Sequence, residues 1–483
     1  MTLNTAAASA RLPAGVRRLV ATLVLTVAVS ATLGAFGAPA SAAPVAGVCT
    51  VWASPTGSDA AVGTSASPFK TLKRLAGALG AGSVGCLRGG TYAPGGGLDG
   101  ITIDRGGVAG NPATIRSAPG ETVTFQGRLV VAATAHDLVI AGIRFDGTSV
   151  TGSEASSFTV EADRVSLIGN DITAPDRICV AVGYARAVSG LVIDGNRIHH
   201  CGDGFPLKNG KPVRQEHGIY LQQTRGAIVR NNVLDRNFTR GIQLYYDADG
   251  TLIENNVIDA NEDGINLGGK RVVLNDGTVL KYRSESNVIR NNLITNSSLW
   301  VIESYYDEVG PVGDLANGVT ANCLFGASRA STYNKLEGFR YDASNRWVDP
   351  QYNGQSAGDY RIRSTSPCIG KGLRAAVTPL RVRSLTRTAA TFDAALNPHR
   401  MTTTYFVRVR PCSDRTCTTV GPWASTKTAQ SVGVVDARVT RTITGLAPAT
   451  TYQYQWVAHQ ALLPASNPAA LVVSPAAAFT TAP

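Results

Sequence analysis

Carboxylates recur along the stretch from His217 to Tyr305 at positions that repeated structure would bring together. Hydrolysis of a glycosidic bond needs two carboxyl groups about 5 to 10 Å apart, which share the roles of acid and of base or nucleophile. Glu303 with Asp263, or Asp263 with Asp247, would meet this requirement if the segments that carry them stack on one another. A hydrolase site is therefore one chemistry that this stretch predicts.

The same stretch offers the groups of a lyase. Such a reaction needs a base that removes the proton next to a uronate carboxylate, and a cation that stabilises the resulting anion. The candidate bases and stabilisers are Arg240, Lys270, Lys281 and His217. Calcium prefers oxygen ligands. The predicted calcium ligands are Asp247, Asp249 and Asp263, with Glu262 as a further candidate.

A repeated element must position these side chains. The tetrapeptides at 218–221, 241–244 and 264–267 each begin with Gly-Ile, end with Leu, and follow one another at intervals of 23 residues. A second motif with paired asparagines recurs at 228–234 and 252–258. Alternation of apolar residues with period two predicts short strands. Self-similarity at this period predicts a solenoid, here a parallel β-helix, in which each coil buries its apolar face against its neighbours.

Registering the repeats on one another predicts three columns of side chains on one outer face. If the isoleucines point inward, the columns are Tyr220, Gln243, Asn266 and Glu303; Gln222, Tyr245, Gly268 and Tyr305; and His217, Arg240, Asp263 and Trp300. Tyrosine faces suit sugar rings, and amides suit hydroxyl groups. The predicted substrate-binding residues are Tyr220, Gln243, Tyr245, Asn266, Trp300 and Tyr305. An ordinary polar exterior is the alternative interpretation.

Three insertions lengthen the repeat, at 203–215, 269–284 and 305–316. Insertions in solenoids form loops that often border the binding face. We therefore expect these loops to form the walls of a cleft beside the three columns.

The repeats and the paired asparagines resemble the right-handed parallel β-helix of the pectate lyase-like superfamily, over residues 49–373. The resemblance implies a ladder of side-chain amides that bond from coil to coil, formed by Asn170, Asn196, Asn232, Asn256, Asn292 and Asn322. The sequence lacks the active-site signatures of the polygalacturonases, pectate lyases and mannuronan epimerases of this fold. The resemblance therefore implies a fold and transfers no catalytic residue.

The predicted fold class is all-β, with three segments. Residues 1–42 carry three arginines, an apolar run and Ala40-Ser41-Ala42, which predicts a secretory signal peptide, an extracellular protein and no stable membrane insertion. Residues 43–375 form the predicted right-handed parallel β-helix, whose first coil is capped by a short helix at about 72–79. Residues 376–483 resemble a small fibronectin type III β-sandwich, most clearly at 446–458, where a leucine and a proline precede alternating aromatic residues.

Cysteines and charge add two constraints. Eight cysteines in an exported chain predict disulfides between sequence neighbours, namely Cys49–Cys86, Cys179–Cys201, Cys323–Cys368 and Cys412–Cys417. Of the net charge of +11, the signal segment holds +3 and residues 376–483 hold +7, with ten Lys and Arg against three Asp. The β-helix is close to neutral, so its bulk charge predicts no polyanion partner.

Together these observations favour a secreted, monomeric, carbohydrate-active protein that binds a polysaccharide along the face from His217 to Tyr305 and cleaves it. Lyase chemistry is slightly favoured over hydrolysis because basic and acidic candidates alternate there. Arg240, Lys270, His217 and Glu303 are the predicted catalytic residues, and calcium is the predicted cofactor. The alternative is a non-catalytic glycan-binding or adhesion protein of the cell surface. No nucleic-acid partner is expected.

Overall fold

The computed structural model describes most of the chain after residue 47, namely residues 48–94, 100–150, 156–175, 177–202, 216–313, 315–326, 337–398, 403–414, 417–425, 430–432, 437–460 and 471–483. The predicted signal peptide at 1–42 and the predicted loop at 203–215 lie outside these residues. Within the described residues, no helix is long and apolar enough to cross a membrane.

Three parallel sheets form a β-helix, because each coil contributes one strand to each sheet in turn. Sheet A contains Val51–Ala53, Val84–Leu87, Ala113–Ser117, Leu138–Ala141, Val165–Ile168, Val192–Asp194, Ile228–Arg230, Leu252–Glu254, Val288–Arg290, Asn317–Thr320 and Phe339–Tyr341. Sheet B contains Gly90–Tyr92, Val123–Gln126, Arg144–Asp146, Asp171–Ala174, Arg197–Cys201, Val233–Asp235, Val257–Asp259, Leu293–Thr295, Cys323–Phe325 and Arg346–Trp347. Sheet C contains Ile101–Ile103, Leu129–Val131, Ser156–Val160, Ile178–Val182, Ile219–Leu221, Arg240–Leu244, Asp263–Val273 and Trp300–Tyr305.

Shorter elements complete the coils. The end of the strand Asp263–Val273 pairs antiparallel with Val279–Arg283, so the predicted insertion at 269–284 is a β-hairpin. Short parallel strands join the turns between sheets C and A at Val188–Ser189, Thr224–Arg225 and Ala248–Asp249. Single 3-10 turns occur at Gly147–Ser149, Asp307–Val309 and Gln355–Ala357. A hairpin of Tyr352–Gly354 and Asp359–Ile362 follows the last coil.

The core of the β-helix is a stack of aliphatic side chains, as the period-two pattern predicts. Ile242 and Ile265 are fully buried and stand in register, and Ile219 and Ile302 continue the same row. Each of them removes most of its apolar surface from water, which is worth about 1.5 to 3 kcal/mol for a side chain of this size. The inward set therefore fixes the register, because a slip of one residue would turn every isoleucine outward.

A short helix at Leu72–Ala76 closes the first coil, three residues shorter than the predicted 72–79. Thr71 caps it by accepting a hydrogen bond from the backbone N–H of Arg74. Leu75 is fully buried against Gly85, where a Cβ atom would lie only 2.5 Å from the leucine side chain. The helix thus covers apolar surface that an open end of the solenoid would expose.

The asparagine ladder is confirmed and is one residue longer than predicted. The ladder is the series Asn170, Asn196, Asn232, Asn256, Asn292, Asn322 and Asn345. From Asn196 onward, each side chain accepts two hydrogen bonds from the previous ladder asparagine, and every member donates at least one to a backbone carbonyl. The left-handed backbone conformation falls on the residue before each ladder position from Asn170 to Asn322, such as Asn255 with a φ of 57°. The ladder asparagines are therefore selected for their amides, and the preceding residues for the turn.

The described part of residues 376–483 forms two antiparallel sheets around a separate hydrophobic core. The first contains Ala376–Arg383, Ala389–Asn397 and Ala437–Thr444. The second contains Thr403–Pro411, Ala424–Ser425, Gln430–Val432, Thr451–Gln460, Leu471–Val473 and Ala477–Thr480. The Tyr452 hydroxyl accepts a hydrogen bond from the backbone N–H of Ala447, as in the tyrosine corner of sandwich folds. The fibronectin type III assignment and the boundary near residue 375 stay predictions.

The predicted cysteine pairing is confirmed, with bonds Cys49–Cys86, Cys179–Cys201, Cys323–Cys368 and Cys412–Cys417. The second bond joins a strand of sheet C to a strand of sheet B in the next coil. No described cysteine is free.

Candidate functional site

The predicted columns stand in register on sheet C. Tyr220 pairs with Gln243, Gln243 with Asn266, and Asn266 with Glu303, on successive parallel strands. Arg240, in the neighbouring column, pairs with Asp263 in the same way. The column of Tyr220, Gln243, Asn266 and Glu303 lies on the face of the strands opposite to the isoleucine core. Arg240 and Asp263 stand two residues before the isoleucines of their strands, and Arg240 reaches Glu303 through an ion pair.

This face is not an open exterior, which is where the structure differs from the expectation. Only 9 % of Tyr220, 8 % of Gln243 and 7 % of Glu303 is exposed, and Asn266 is fully buried. The ring of Tyr184, from the preceding coil, packs edge-on against Tyr220 with ring centroids 5.6 Å apart. These largely buried side chains, called the floor below, therefore do not form an ordinary solvated surface.

One guanidinium group joins two carboxylates at the centre of this site. Arg240 lies 3.5 Å from an oxygen of Asp263 through its Nε atom and 3.4 Å from an oxygen of Glu303 through Nη2. The same Glu303 oxygen accepts a hydrogen bond of 2.6 Å from the amide of Asn266. The side chain of Arg240 keeps 19 % of its surface exposed and that of Glu303 keeps 10 %, whereas Asp263 keeps 2 %. Glu303 is therefore the more exposed of the two carboxyl groups.

The surroundings of Asp263 shift its protonation. Burial raises the pKa of Asp263 to about 8, the nearby charge of Glu303 adds to the rise, and Arg240 opposes it. Two carboxylates around one guanidinium cannot both be charged without repulsion, so the buried one keeps its proton. At neutral pH the site thus contains a carboxylic acid, Asp263, close to a second carboxyl group.

This pKa predicts how stability depends on pH. A carboxyl group whose pKa is raised by folding contributes stability that is complete below its unfolded pKa and is lost as the pH rises toward the folded value of about 8. Replacing Asp263 by asparagine removes that dependence. We compare the melting temperatures of Asp263→Asn and of the parent chain at each pH. We expect the difference, variant minus parent, to increase by about 1 to 3 °C from pH 5 to pH 9. Thermal unfolding followed by circular dichroism would measure it, and an unchanged difference would contradict a raised pKa.

His217 is neutral and is held in one tautomer. The hydroxyl group of Thr239 donates its proton to the backbone carbonyl of Glu216, so its oxygen accepts from Nδ1 of His217, 2.6 Å away. Burial, and then the charge of Arg240, lowers the pKa of His217 well below its usual value. The uncharged imidazole lies beside Gln243 and supplies no imidazolium proton for an acid step.

Buried polar atoms in this site lack hydrogen-bond partners. They are the amide oxygens of Gln243 and Asn266, which stand on adjacent strands, and Nε of Arg240. An unpaired buried polar atom costs about 1 to 3 kcal/mol, so native proteins rarely keep one without a reason. Nε of Arg240 faces Asp263 at 3.5 Å, so the two amide oxygens are the atoms of this group that face no partner.

Aromatic rings border the floor on the side of the hairpin. The ring of Tyr245 lies 6.1 Å from Tyr305 and 6.0 Å from Tyr246, and Tyr246 lies 5.1 Å from Tyr282. The exposed fraction of Tyr305 is 37 %. The backbone N–H of Trp300, the remaining predicted binding residue, donates to a carboxylate oxygen of Asp263. The rim therefore offers aromatic faces of the kind that pack on sugar rings.

Other predicted residues lie outside the central group. The ammonium group of Lys270 stands 5.0 Å from the centroid of the Tyr246 ring, on the hairpin. Arg225 pairs with both Asp247, at 2.8 Å, and Asp249, at 3.3 Å. Asp263 pairs instead with Arg240, so the three predicted calcium ligands do not converge.

Across the part of the chain that the structure describes, no group of three or more His, Cys, Asp and Glu side chains is arranged to hold a metal ion. The arginines supply the positive charge beside these carboxylates. The described residues therefore do not fit the predicted calcium site.

Sequence reasoning missed Tyr184, Tyr246, Tyr282 and Thr239. Tyr184 follows the strand Ile178–Val182, which pairs in register with the next coil but lacks the Gly-Ile opening of the repeats. Its strand could have been aligned through the alternating apolar residues alone. Tyr282 lies on the hairpin, which no other coil repeats.

Comparison with known proteins bears on the fold. Residues 129–325 match the family model described as a right-handed beta helix region. This match and the parallel sheets together make the β-helix right-handed. An uncharacterized protein, YwoF of Bacillus subtilis (strain 168), is 29 % identical over 120 residues, which are 23 % of this chain and 25 % of that protein. The chain thus spans only about a quarter of the length of this curated relative.

Among solved structures, the chain is similar to the pectate lyase Pel9A, with a TM-score of 0.49 and 13 % identity over 68 % of this chain and 93 % of that chain. It is also similar to a rhamnogalacturonan lyase, with a TM-score of 0.44 and 15 % identity over 66 % and 94 % of the two chains. A glycoside hydrolase gives a TM-score of 0.35 and 10 % identity, over 62 % and 96 %. The site of this chain has to be interpreted from its own residues.

Proposed function

We propose that this chain is an extracellular carbohydrate-active protein that binds a polysaccharide at the site on sheet C and cleaves a glycosidic bond there. The single observation that carries the proposal is the pair of carboxyl groups, Asp263 and Glu303, gathered around Arg240. Acid-assisted glycosidic cleavage requires a protonated carboxyl group beside a second carboxyl group.

In this proposal each residue has a defined task. Asp263 holds the proton that the leaving oxygen requires, because burial keeps this group neutral. Glu303, the more exposed carboxyl group, acts on the sugar or on the attacking water. Arg240 positions both groups and cannot serve as a base, since a guanidinium keeps its proton in proteins. Asn266 holds Glu303 in place by donating a hydrogen bond to its carboxylate.

Lyase chemistry, which the sequence slightly favours, is the second candidate. In a lyase, Arg240 or Lys270 would have to act on the proton that is removed and on the substrate carboxylate. Arg240 already faces two protein carboxylates, and Lys270 stands against Tyr246. These contacts favour hydrolysis, and the lyase and its calcium ion stay predictions for the assay below. The C-terminal sheets are proposed to be a fibronectin type III module that acts as a spacer.

A panel of neutral and uronate polysaccharides would test the proposal. Reducing ends are measured together with the absorbance of unsaturated uronides, once with calcium and once with a chelator. We expect new reducing ends without new absorbance, in both conditions. New absorbance would support the lyase instead, and its loss on chelation would support calcium. Retention of a polysaccharide without turnover would show a binding protein, and no retention by any polymer would contradict the proposal.

A further inference from the structure

Two arginines stand side by side on the outer face of the larger C-terminal sheet. Arg408 and Arg410 alternate with the buried residues Val407 and Val409 along the strand Thr403–Pro411. Across the ladder they pair with Gln455 and Gln453, respectively. Because side chains two residues apart on a strand share a face, both guanidinium groups extend from the same surface.

An aromatic ring and two amides hold these guanidinium groups in place. The central carbon of Arg408 lies 4.6 Å from the centroid of the Trp423 ring, and that of Arg410 lies 4.4 Å from it. Nε and Nη2 of Arg408 both donate to the side-chain oxygen of Gln455, at 3.1 and 2.7 Å. Arg410 donates to Gln453 in the same way, at 3.0 and 2.7 Å. Each guanidinium is thus fixed on one edge, and its Nη1 group is available to a ligand.

No carboxylate of the described residues pairs with either arginine, in contrast to Arg381 and Arg383 of the other sheet. Arg381 and Arg383 both pair with Asp393, within 3.0 Å. Arg408 and Arg410 repel each other instead, and burial together with this repulsion lowers the pKa of Arg408. Residues 376–483 carry a net charge of +7, so nothing in the bulk charge relieves that repulsion. A bound anion would relieve the repulsion between the two guanidinium groups.

We propose that Arg408, Arg410 and Trp423 form a second, non-catalytic binding surface for a carboxylate-bearing polysaccharide. Two fixed guanidinium groups match the geometry of carboxylate oxygens. The Trp423 ring and the free amide N–H groups of Gln453 suit a sugar ring and its hydroxyl groups, which favours an acidic glycan over a polymer of bare phosphates. The proposal does not depend on the chemistry of sheet C, since the two surfaces share no residue.

The test is binding of the full chain to immobilised polygalacturonate, in a Glu303→Gln background so that the proposed cleavage cannot consume the polymer. Replacing Arg408 and Arg410 together by glutamine is expected to weaken binding about tenfold or more at low salt, because two charge-assisted contacts are removed. The double replacement by lysine keeps the charge but loses the planar fork, and we expect an intermediate loss. Neutral dextran should not be retained through this surface.

The matched control replaces Arg381 and Arg383 by glutamine, which removes the same charge at the same spacing on the other sheet. We expect it to change the affinity by less than about twofold, since these side chains already face Asp393. An equal loss in this control would reduce the effect to bulk charge and overturn the proposal. Tighter, arginine-dependent binding of polyphosphate would also overturn it, because the ligand would then be a phosphate polymer. Circular dichroism of each variant would confirm that the sheets remain folded.

Discussion

Glu303→Gln is expected to lower turnover of the cleaved polysaccharide by about 100-fold to 10,000-fold, the range for loss of a positioned acid or base. Glutamine has the same size as glutamate, and its side-chain oxygen can still accept the hydrogen bond from Asn266. The change therefore removes the charge and the proton exchange and leaves the packing. The measurement is kcat for reducing-end release, with the affinity for the polymer determined separately on the same variant. We expect the affinity to stay within a few-fold of the parent.

The matched control for Glu303→Gln is Asp276→Asn, which removes one acidic charge from the tip of the hairpin beside the site. Asp276 bonds only its own turn, at the backbone N–H of Thr278. Its replacement should leave turnover unchanged. If both variants lose activity equally, the effect is electrostatic at long range. If Glu303→Gln retains full turnover, Glu303 is not the reacting group and the proposed mechanism is wrong.

The register of the repeats could be predicted because it follows from a pattern of residues that is local in the sequence. Glycine, isoleucine and leucine recur at the same offsets, and only one alignment places Ile219, Ile242 and Ile265 inside the coils. That alignment alone brings Asp263 next to Arg240 and Asn266 next to Glu303. The ladder follows from the same alignment, since a buried amide must bond its neighbours. The disulfides could be assigned because each joins cysteines that are neighbours in sequence.

The covering of the site could not be predicted, because it comes from residues outside the repeat. Tyr184 precedes the first clear repeat, and Tyr282 belongs to an insertion that occurs once. The structure does not bring the predicted calcium ligands together, for a related reason. Arg225, one coil earlier, is in register with Asp249 and neutralises both Asp247 and Asp249. A search of the sequence for acidic residues alone does not reveal that Arg225 already pairs with Asp247 and Asp249.

Asn256→Leu is expected to destabilise the β-helix by about 3 to 5 kcal/mol, the second large effect that the structure predicts. Asn256 is fully buried and its side chain makes four hydrogen bonds: two from Asn232, one to the backbone carbonyl of Val229 and one to Asn292. Leucine has a similar volume but no polar atom, so backbone and amide groups on three coils would lose partners at once. Urea unfolding of the full chain, followed by circular dichroism, would measure the loss.

Asn255→Gly is the control that separates the ladder from the turn. Asn255 is the adjacent residue, stands in the left-handed conformation with a φ of 57°, and does not belong to the ladder. Glycine adopts that conformation without strain, so we expect a change of less than about 1 kcal/mol. A large loss in both variants would mean that the turn, and not the amide ladder, stabilises the stack. Since Glu303 lies on sheet C and the ladder lies between sheets A and B, Asn256→Leu should lower stability while any folded fraction keeps its turnover, which is the opposite of the result expected for Glu303→Gln.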